Sequence, residues 1–374
     1  MRIWVVCFTG DSGLTDYSVS LCRALSAKAD IRLVTGVKLP DRFRSLGFKI
    51  DTPFRRSRHF LIDIWRLVLR ILRERPDAVI FQSWLKLPVL EGFLIAMLKR
   101  CGIKFILTVH DVLPHYPRPW SRVELGWYFR RFDGIVVHSA RAGDELRRMG
   151  CVQPSLTVPH GVYDLFVLTQ VSRSDARRKI GVENDEFVIL FFGHLEPRKG
   201  VLEVIAAAKE MAQVEGVRFV LAGSDEMTKH GDLCKNAIVA AGAMPNVTLR
   251  AERIPFEEVE NYFVASDVVV LPYREGTTSG VLKLALAFKV PVIATKIGDL
   301  ASEISPSAGL LIDEGQDVTA SLIGAIVKMR SDIENYRSGV ERTINTKDWG
   351  SIGQSYLSFA REVVRKRVGE PDNT

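Results

Sequence analysis

The stretch Phe187-Val-Ile-Leu-Phe-Phe-Gly-His-Leu-Glu-Pro-Arg-Lys-Gly200 joins an apolar run to a turn that is bounded by two glycines. Its first six residues are aliphatic or aromatic, which predicts a buried strand. Residues 201–208 follow directly, and their apolar positions recur at helical spacing. A strand, a short turn and a helix in this order are the repeating unit of a parallel α/β sheet.

The same alternation recurs in both halves of the 374-residue chain. Since one domain usually has roughly 100 to 200 residues, the chain has room for two hydrophobic cores. We therefore predict an α/β protein with two Rossmann-like, doubly wound domains. The strands are predicted at residues 3–6, 31–34, 78–81, 105–109 and 135–137, and then at 187–192, 218–222, 247–250, 268–271, 292–294 and 309–312.

The alternation breaks at residues 152–170, where two prolines and a glycine interrupt it, and a Ser/Arg-rich stretch follows at 172–178. This composition predicts the interdomain linker. We expect an N-terminal domain at 1–165, a C-terminal domain at 166–348 and a closing segment at 349–374. In that last segment Ile352, Tyr356, Phe359 and Val363 recur at steps that predict one amphipathic helix over 349–368.

Charge is distributed unevenly along the chain. The net charge is +7, but residues 1–165 alone hold 26 Lys and Arg against 15 Asp and Glu. In the helix predicted near residues 61–72, apolar residues recur at helical spacing and arginines occupy the other side. A basic first half favours an anionic partner such as a membrane face, a phosphorylated acceptor or a nucleic acid, and the alternative is a solvated basic surface.

The cysteines and the apolar runs indicate the compartment. The five cysteines are far apart and lack the paired spacing of zinc or redox motifs, which favours a reducing compartment. The apolar run near Met1 is too short for a signal peptide, and no run approaches the ~18 residues of a spanning helix. We expect a cytoplasmic protein that associates with a membrane, if at all, from its cytoplasmic face.

Two strand-to-helix turns carry candidate chemistry in the second half. Arg198 and Lys199 stand in the first turn, where cations and a helix N-terminus together suit a diphosphate. The second turn, Pro272-Tyr-Arg-Glu-Gly-Thr-Thr-Ser-Gly280, offers backbone N–H groups and hydroxyls to an anion. Its Glu275 suits sugar hydroxyls, which supply hydrogen-bond donors. Each turn taken singly is also typical of a solvent-facing helix cap.

Together these stretches resemble the retaining glycosyltransferases of family 4, which have the GT-B fold. The resemblance covers nearly the whole chain. It rests on the phosphate turn at 193–200, on Pro159-His-Gly-Val162 and on Ala265-Ser-Asp-Val-Val-Val-Leu-Pro-Tyr273. It also includes Glu275 with Pro291-Val-Ile-Ala-Thr295 and the closing helix, which in such enzymes crosses back to the first domain.

The resemblance implies roles for individual residues. Lys199 and Glu275 would act in catalysis, with Lys199 on the donor diphosphate and Glu275 on the hydroxyls of the donor sugar. Strand 105–109 ends in His110, which resembles the family's catalytic-site histidine near the reacting carbon. The donor-binding residues implied in this way are Gly13, Arg198, Lys199, Arg253, Ile254, Glu275, Thr278, Ser279, Gly280 and Lys283.

Two positions depart from the family pattern. Lys283 stands where the family has a second Glu that binds the ribose, so another residue holds the ribose, the nucleotide is held differently, or Lys283 contacts phosphate. His194 replaces the expected Arg of the phosphate turn. These changes keep open a catalytically inactive GT-B-like scaffold, while a GT-B nucleotide-sugar epimerase would need an acid and base pair that the sequence does not offer.

Other classes are poorly supported. The loop at Gly10 and Gly13 is G-x-x-G rather than G-x-G-x-x-G, and no acidic residue closes a second strand, which disfavours a dinucleotide-binding dehydrogenase. No D-x-D signature stands near a strand end, so we expect a metal-independent transfer without a cofactor, with a nucleotide diphosphate sugar as donor. The expected acceptor is a glycan or polyprenyl-linked intermediate, with contact to an anionic membrane through arginines such as Arg55, Arg56 and Arg66. Nucleic-acid binding is not expected, because aromatic interleaving is missing.

Overall fold

The computed structural model describes residues 1–55, 57–83, 86–114, 118–275, 279–298, 300–314, 317–344 and 348–365. The chain divides into two compact units. The first comprises residues 1–161 together with the last helix, and the second comprises residues 162–346. The division therefore precedes residue 165, where the sequence placed the end of the first domain.

Each unit is built on its own parallel sheet. The strands are β1 (Arg2–Val6), β2 (Asp30–Gly36), β3 (Lys49–Phe54), β4 (Ala78–Gln82), β5 (Lys104–Val109), β6 (Gly134–Val137), β7 (Ser155–Thr157), β8 (Phe187–Phe192), β9 (Val217–Ala222), β10 (Val247–Arg250), β11 (Val268–Leu271), β12 (Val292–Thr295) and β13 (Gly309–Ile312). The first sheet has the order β3-β2-β1-β4-β5-β6-β7 and the second β10-β9-β8-β11-β12-β13. Both are doubly wound, which confirms the predicted fold class.

Helices connect the strands. They are α1 (Gly13–Ser26), α2 (Phe60–Glu74), α3 (Pro88–Lys99), α4 (Ser121–Phe129), α5 (Ala140–Arg148), α6 (Arg173–Ile180), α7 (Val201–Glu210), α8 (Asp232–Gly242), α9 (Phe256–Ala265), α10 (Gly280–Ala287), α11 (Leu300–Glu303), α12 (Val318–Ser331), α13 (Ile333–Ile344) and α14 (Trp349–Arg365). Short 3-10 turns occur at Asp41–Phe43, Ser57–His59, Asp164–Phe166, Pro197–Lys199 and Met227–His230. No helix among the described residues is long and apolar enough to cross a membrane.

The last helix belongs to the first unit. Helix α14 packs on α1, where Gly353 lies so close to Ala24 that a Cβ would come within 2.8 Å of the Ala24 side chain. The buried Tyr356 hydroxyl shares hydrogen bonds of 3.0 Å with Tyr17 and with Thr108. The predicted helix thus returns to the first unit, as the resemblance noted in the sequence implies.

One core joins the first sheet to helices α2 to α5. It shows that α2 does not have the single apolar side opposite a basic side that the sequence predicted. Ile64, Val68 and Ile71 of α2 are buried in this core. Leu61, Trp65 and Leu69, which share the apolar pattern in the sequence, are instead exposed. The helix therefore has two apolar sides, of which only one is covered.

Two short elements lie in the stretch that was predicted to be a linker. Strand β7 pairs with β6 at the sheet edge, and α6 covers the Ser/Arg-rich residues. Ser172 caps α6 by accepting the N–H of Asp175 at 3.2 Å, and the buried Arg177 pairs with Asp267 at 2.8 Å. The linker prediction was wrong for residues 172–178 because the partner that buries Arg177 lies far along the chain.

Candidate active site

The strand order of the second sheet reverses between β8 and β11, so the turns after these strands start side by side. Such switch points are where doubly wound sheets bind ligands. At the end of β8, Gly193 has φ of 108° and lies against Gly223. A Cβ on Gly223 would come within 1.6 Å of the Gly193 carbonyl oxygen, so the two backbones approach closely only because this residue is glycine.

The two turns predicted from the sequence contact one another. Gly200, with φ of 77°, ends the first turn, and its Cβ would lie 1.9 Å from the carbonyl oxygen of Pro272 in the second. The Arg274 N–H donates to the Arg198 carbonyl at 2.9 Å. The described parts of the two turns therefore lie directly against each other at the switch point.

Lys199 is partly buried at the centre of this surface. Its Nζ lies 4.0 Å from the centre of the Tyr273 ring, at cation–π distance. Burial is the main cause that lowers the pKa of Lys199 to about 8, with a smaller contribution from the neighbouring Arg198 and an opposing effect of Glu196. An ammonium that has lost part of its hydration gains from an anionic ligand that replaces the lost water.

The N-terminus of α10 adjoins the same ring. The Tyr273 hydroxyl shares a 3.0 Å hydrogen bond with Ser279 Oγ, and burial raises the pKa of this tyrosine to about 12. Ser279 Oγ also accepts the N–H of Leu282 at 3.2 Å and so caps the helix. Tyr273 thus contacts both a partly desolvated cation and a helix N-terminus. This arrangement suits a phosphate.

The other predicted donor residues of these turns differ in placement. Arg198 forms a 2.7 Å ion pair with Glu196 rather than standing free. Glu275 is exposed within the second turn, and Gly280 opens α10, where an added Cβ would lie 3.5 Å from the Tyr163 ring. Thr278 lies outside the described residues.

The remaining donor-binding residues implied by the resemblance, and the altered position His194, differ in burial and in partners. Lys283 is buried, with 3% of its side chain exposed, and it forms an ion pair with Glu303. Ile254 is packed in the core of the second unit, and Arg253 beside it is exposed after edge strand β10. His194 is exposed, with Nδ1 at 3.8 Å from a carboxylate oxygen of Glu226.

In the first unit His110 follows β5, and it contacts the strand at the switch point of this sheet. Its Nε2 lies 2.9 Å from Oε1 of Gln82, the last residue of β4. With this oxygen as the acceptor, the neutral ring carries its proton on Nε2. Burial holds the pKa of His110 well below its usual value, and the nearby His138 adds to the effect. His110 is therefore neutral at pH 7.

Two further histidines, His138 and His160, lie beside Tyr17 together with His110. Neither of the two was predicted from the sequence as a site residue. The Tyr17 ring lies 4.7 Å from His110, 5.3 Å from His138 and 4.8 Å from His160, measured between ring centres. The signal was present for His138, which directly follows predicted strand 135–137. Within the described residues, no group of three or more His, Cys, Asp or Glu side chains is arranged to hold a metal ion.

Gly13 opens α1 after the first strand and is exposed. Ser12 caps this helix by accepting the N–H of Thr15 at 3.4 Å. Gly10 permits the loop to pass close to the chain, because its Cβ would lie 2.7 Å from the Gly36 carbonyl oxygen. In the first turn of α1, burial raises the pKa of Asp16 to about 7.

Comparison with solved structures establishes the class of fold. The HepE protein of Anabaena, crystallised with UDP and glucose, aligns with a TM-score of 0.75 at 16% identity, over 96% of this chain and 99% of that one. Sucrose-phosphate synthase from Thermosynechococcus elongatus aligns with a TM-score of 0.73 at 20% identity, over 97% and 99%. The fold is that of the GT-B glycosyltransferases.

Sequence comparison identifies the family. The glycosyl transferase 4-like domain model matches residues 12–161, and the glycosyl transferases group 1 model matches residues 186–332. The D-inositol 3-phosphate glycosyltransferase of Paenarthrobacter aurescens is 30% identical over 272 residues, which are 68% of this chain and 65% of that protein. The match therefore spans less than two thirds of the relative's length. The chain belongs to the family 4 glycosyltransferases.

Proposed function

We propose that this protein is a retaining, metal-independent glycosyltransferase that moves a sugar from a nucleotide diphosphate donor to a glycan or polyprenyl-linked acceptor. The observation that carries the proposal is the surface at the switch point of the second unit. There Lys199, Tyr273 and the capped N-terminus of α10 adjoin one another. This is the arrangement that a departing diphosphate needs, since negative charge develops on it during transfer.

Each residue has a defined part in this reaction. Lys199 neutralises the diphosphate as the bond to the sugar breaks, and the backbone N–H groups near Ser279 add hydrogen bonds. Glu275 accepts hydrogen bonds from hydroxyl groups of the donor sugar. His110 is the contribution of the first unit, and its low pKa keeps the ring neutral so that it does not repel a sugar carbon that gains positive charge.

The ribose requires a carboxylate at a new position. Lys283 occupies the family's second Glu position, and its ion pair brings the carboxylate of Glu303 beside it. We propose that the Glu303 carboxylate accepts hydrogen bonds from the ribose hydroxyls, while Lys283 orients this carboxylate. Glu303→Gln is then expected to weaken binding of a nucleoside diphosphate about tenfold and to leave inorganic pyrophosphate binding unchanged. Equal losses for both ligands would contradict this assignment.

The acceptor and the place of action are part of the same proposal. The basic residues of the first half support contact with an anionic surface, and the enzyme would act on the cytoplasmic face of a membrane. The HepE structure holds UDP and glucose, and for the present chain we propose a nucleotide sugar of the same general kind.

Thermal-shift screening with UDP, GDP and ADP is the direct test of the donor. A nucleotide that binds the folded chain raises the melting temperature by mass action. Lys199→Met should clearly reduce the shift at a fixed nucleotide concentration. Lys209 is an exposed lysine of α7, and Lys209→Met should retain the full shift. Transfer should continue in EDTA. A strict requirement for Mg²⁺ or Mn²⁺ would refute the metal-independent mechanism, and the absence of any shift would favour the inactive scaffold.

A further inference from the structure

The neighbouring helices α2, α3 and α4 of the first unit carry large apolar side chains on their outer surface. All three share one core on their inner side, so these outward residues are not needed to cover it. The exposed fractions are high: Leu61 62%, Ile62 52%, Trp65 50%, Leu69 52%, Val89 46%, Phe93 62%, Met97 38%, Trp120 55% and Val123 75%. Elsewhere among the described residues the large exposed apolar side chains are more scattered.

The exposed residues form ordered stripes rather than isolated spots. Leu61, Trp65 and Leu69 are spaced by one helical turn along α2, as are Val89, Phe93 and Met97 along α3. The Phe93 ring lies 5.1 Å from the Trp127 ring, which continues the α3 stripe onto α4. An apolar surface of this extent marks an interaction site.

The charges around the stripes are positive. Exposed basic residues lie on or beside the three helices: Arg58, Arg66, Arg73, Arg75, Lys86, Arg100, Arg118, Arg122 and Arg130. Two acidic residues of these helices, Asp63 of α2 and Glu91 of α3, are buried instead. Asp63 is buried and pairs with Arg55 at 2.8 Å, and buried Glu91 accepts the Tyr128 hydroxyl at 3.2 Å. The outer surface thus combines apolar side chains with cations.

We propose that the α2–α4 face is a membrane-docking surface, which inserts its apolar side chains into the interfacial layer of an anionic bilayer. Tryptophan, phenylalanine and leucine enter the boundary between headgroups and acyl chains, while the flanking arginines meet lipid phosphates. Lipid is favoured over a protein partner because both features of the surface match it at once. The inference rests on the membrane contact of the proposed function but not on the transfer reaction, and it predicts insertion of apolar side chains rather than charge attraction alone.

Vesicle co-sedimentation of the full chain tests this directly. The lipid is phosphatidylcholine with about one third phosphatidylglycerol, because anionic lipid attracts cationic side chains. Trp65→Ser and Phe93→Ser should each lower the partition coefficient about tenfold, since each removes one large apolar side chain. The matched control is Leu233→Ser on α8 of the second unit, where the leucine is 87% exposed, and it should bind as the parent does.

Three results would overturn the proposal. One is no binding to the anionic vesicles. Another is binding that is lost in high salt but is unchanged by Trp65→Ser and Phe93→Ser, because this would be electrostatic adsorption only. The third is a concentration-dependent dimer in sedimentation velocity that both substitutions abolish, because a second copy would then cover the face. Melting curves that match the parent show that each variant is folded.

Discussion

Replacing Lys199 by Met should raise stability and lower activity together. In the folded chain the pKa of Lys199 is about 8, below the value of 10.5 for an exposed lysine. Folding therefore disfavours the ammonium. This destabilisation is fully present below pH 8 and disappears as the pH rises from about 8 towards 10.5, where the unfolded chain also loses the proton. Met keeps the stem of the side chain and removes the charge.

The two effects can be given magnitudes. One pKa unit corresponds to about 1.4 kcal/mol, and because Lys199 retains some solvent exposure and contacts the Tyr273 ring, we expect a gain on the order of 1 kcal/mol at pH 7. That gain would raise Tm by about 2 to 4 °C for a unit of this size. Loss of a charged hydrogen bond to the diphosphate costs about 1.5 to 3 kcal/mol, which lowers kcat/KM roughly 10- to 150-fold.

The assay combines calorimetry with donor kinetics across roughly pH 6 to 10. Lys199 is expected to titrate with a midpoint of about 8. In the parent, kcat/KM for the donor should fall as the pH rises through this value, because the free enzyme loses the ammonium. Lys199→Arg should retain its charge over the whole range. A Met variant with unchanged kcat/KM, or with Tm lowered by several degrees, would show that Lys199 is a structural residue.

Three other substitutions test separate parts of the site. Gly200→Ala should destabilise the fold by more than about 3 kcal/mol in urea unfolding, because its Cβ would lie 1.9 Å from the Pro272 carbonyl oxygen; a smaller loss would mean that the turns can separate. Glu275→Gln should lower kcat/KM about 10- to 100-fold with Tm unchanged; normal kinetics would remove this exposed residue from the site. Gln82→Leu should alter the ¹⁵N shifts of the His110 ring and lower kcat more than donor affinity, whereas an unchanged tautomer would contradict the role given to their hydrogen bond.

The strands that the sequence reveals are those with continuous apolar runs. Strands 187–192 and 268–271 were predicted with the observed bounds because strands buried inside a parallel sheet carry apolar side chains on both faces. Strand β3 (Lys49–Phe54) has the sequence KIDTPF and forms a sheet edge, and β7 (Ser155–Thr157) has three residues. The first of these edge strands alternates with polar residues and the second is very short, so neither offers a continuous apolar run to detect.

The sequence predicted which segments form the site better than it predicted which side chains contact one another there. The two turns were predicted because each follows an apolar strand. The contact of Lys199 with Tyr273 and the ion pair of Lys283 with Glu303 join residues that are distant in sequence, and no spacing rule connects them. The interpretation of Lys283 as a phosphate contact remains a prediction, and its burial beside a carboxylate favours the ribose proposal instead.

The position of α14 has a consequence for synthesis of the chain. A ribosome makes the chain from its N-terminus, and domains generally fold as they emerge. The buried Tyr356 that bonds to Tyr17 and Thr108 is added only after the whole second unit. The first unit therefore starts to form first but is completed last. A nascent chain that stalls before residue 349 has no helix α14 to cover α1, so the first unit becomes fully folded only after the second unit has been synthesised.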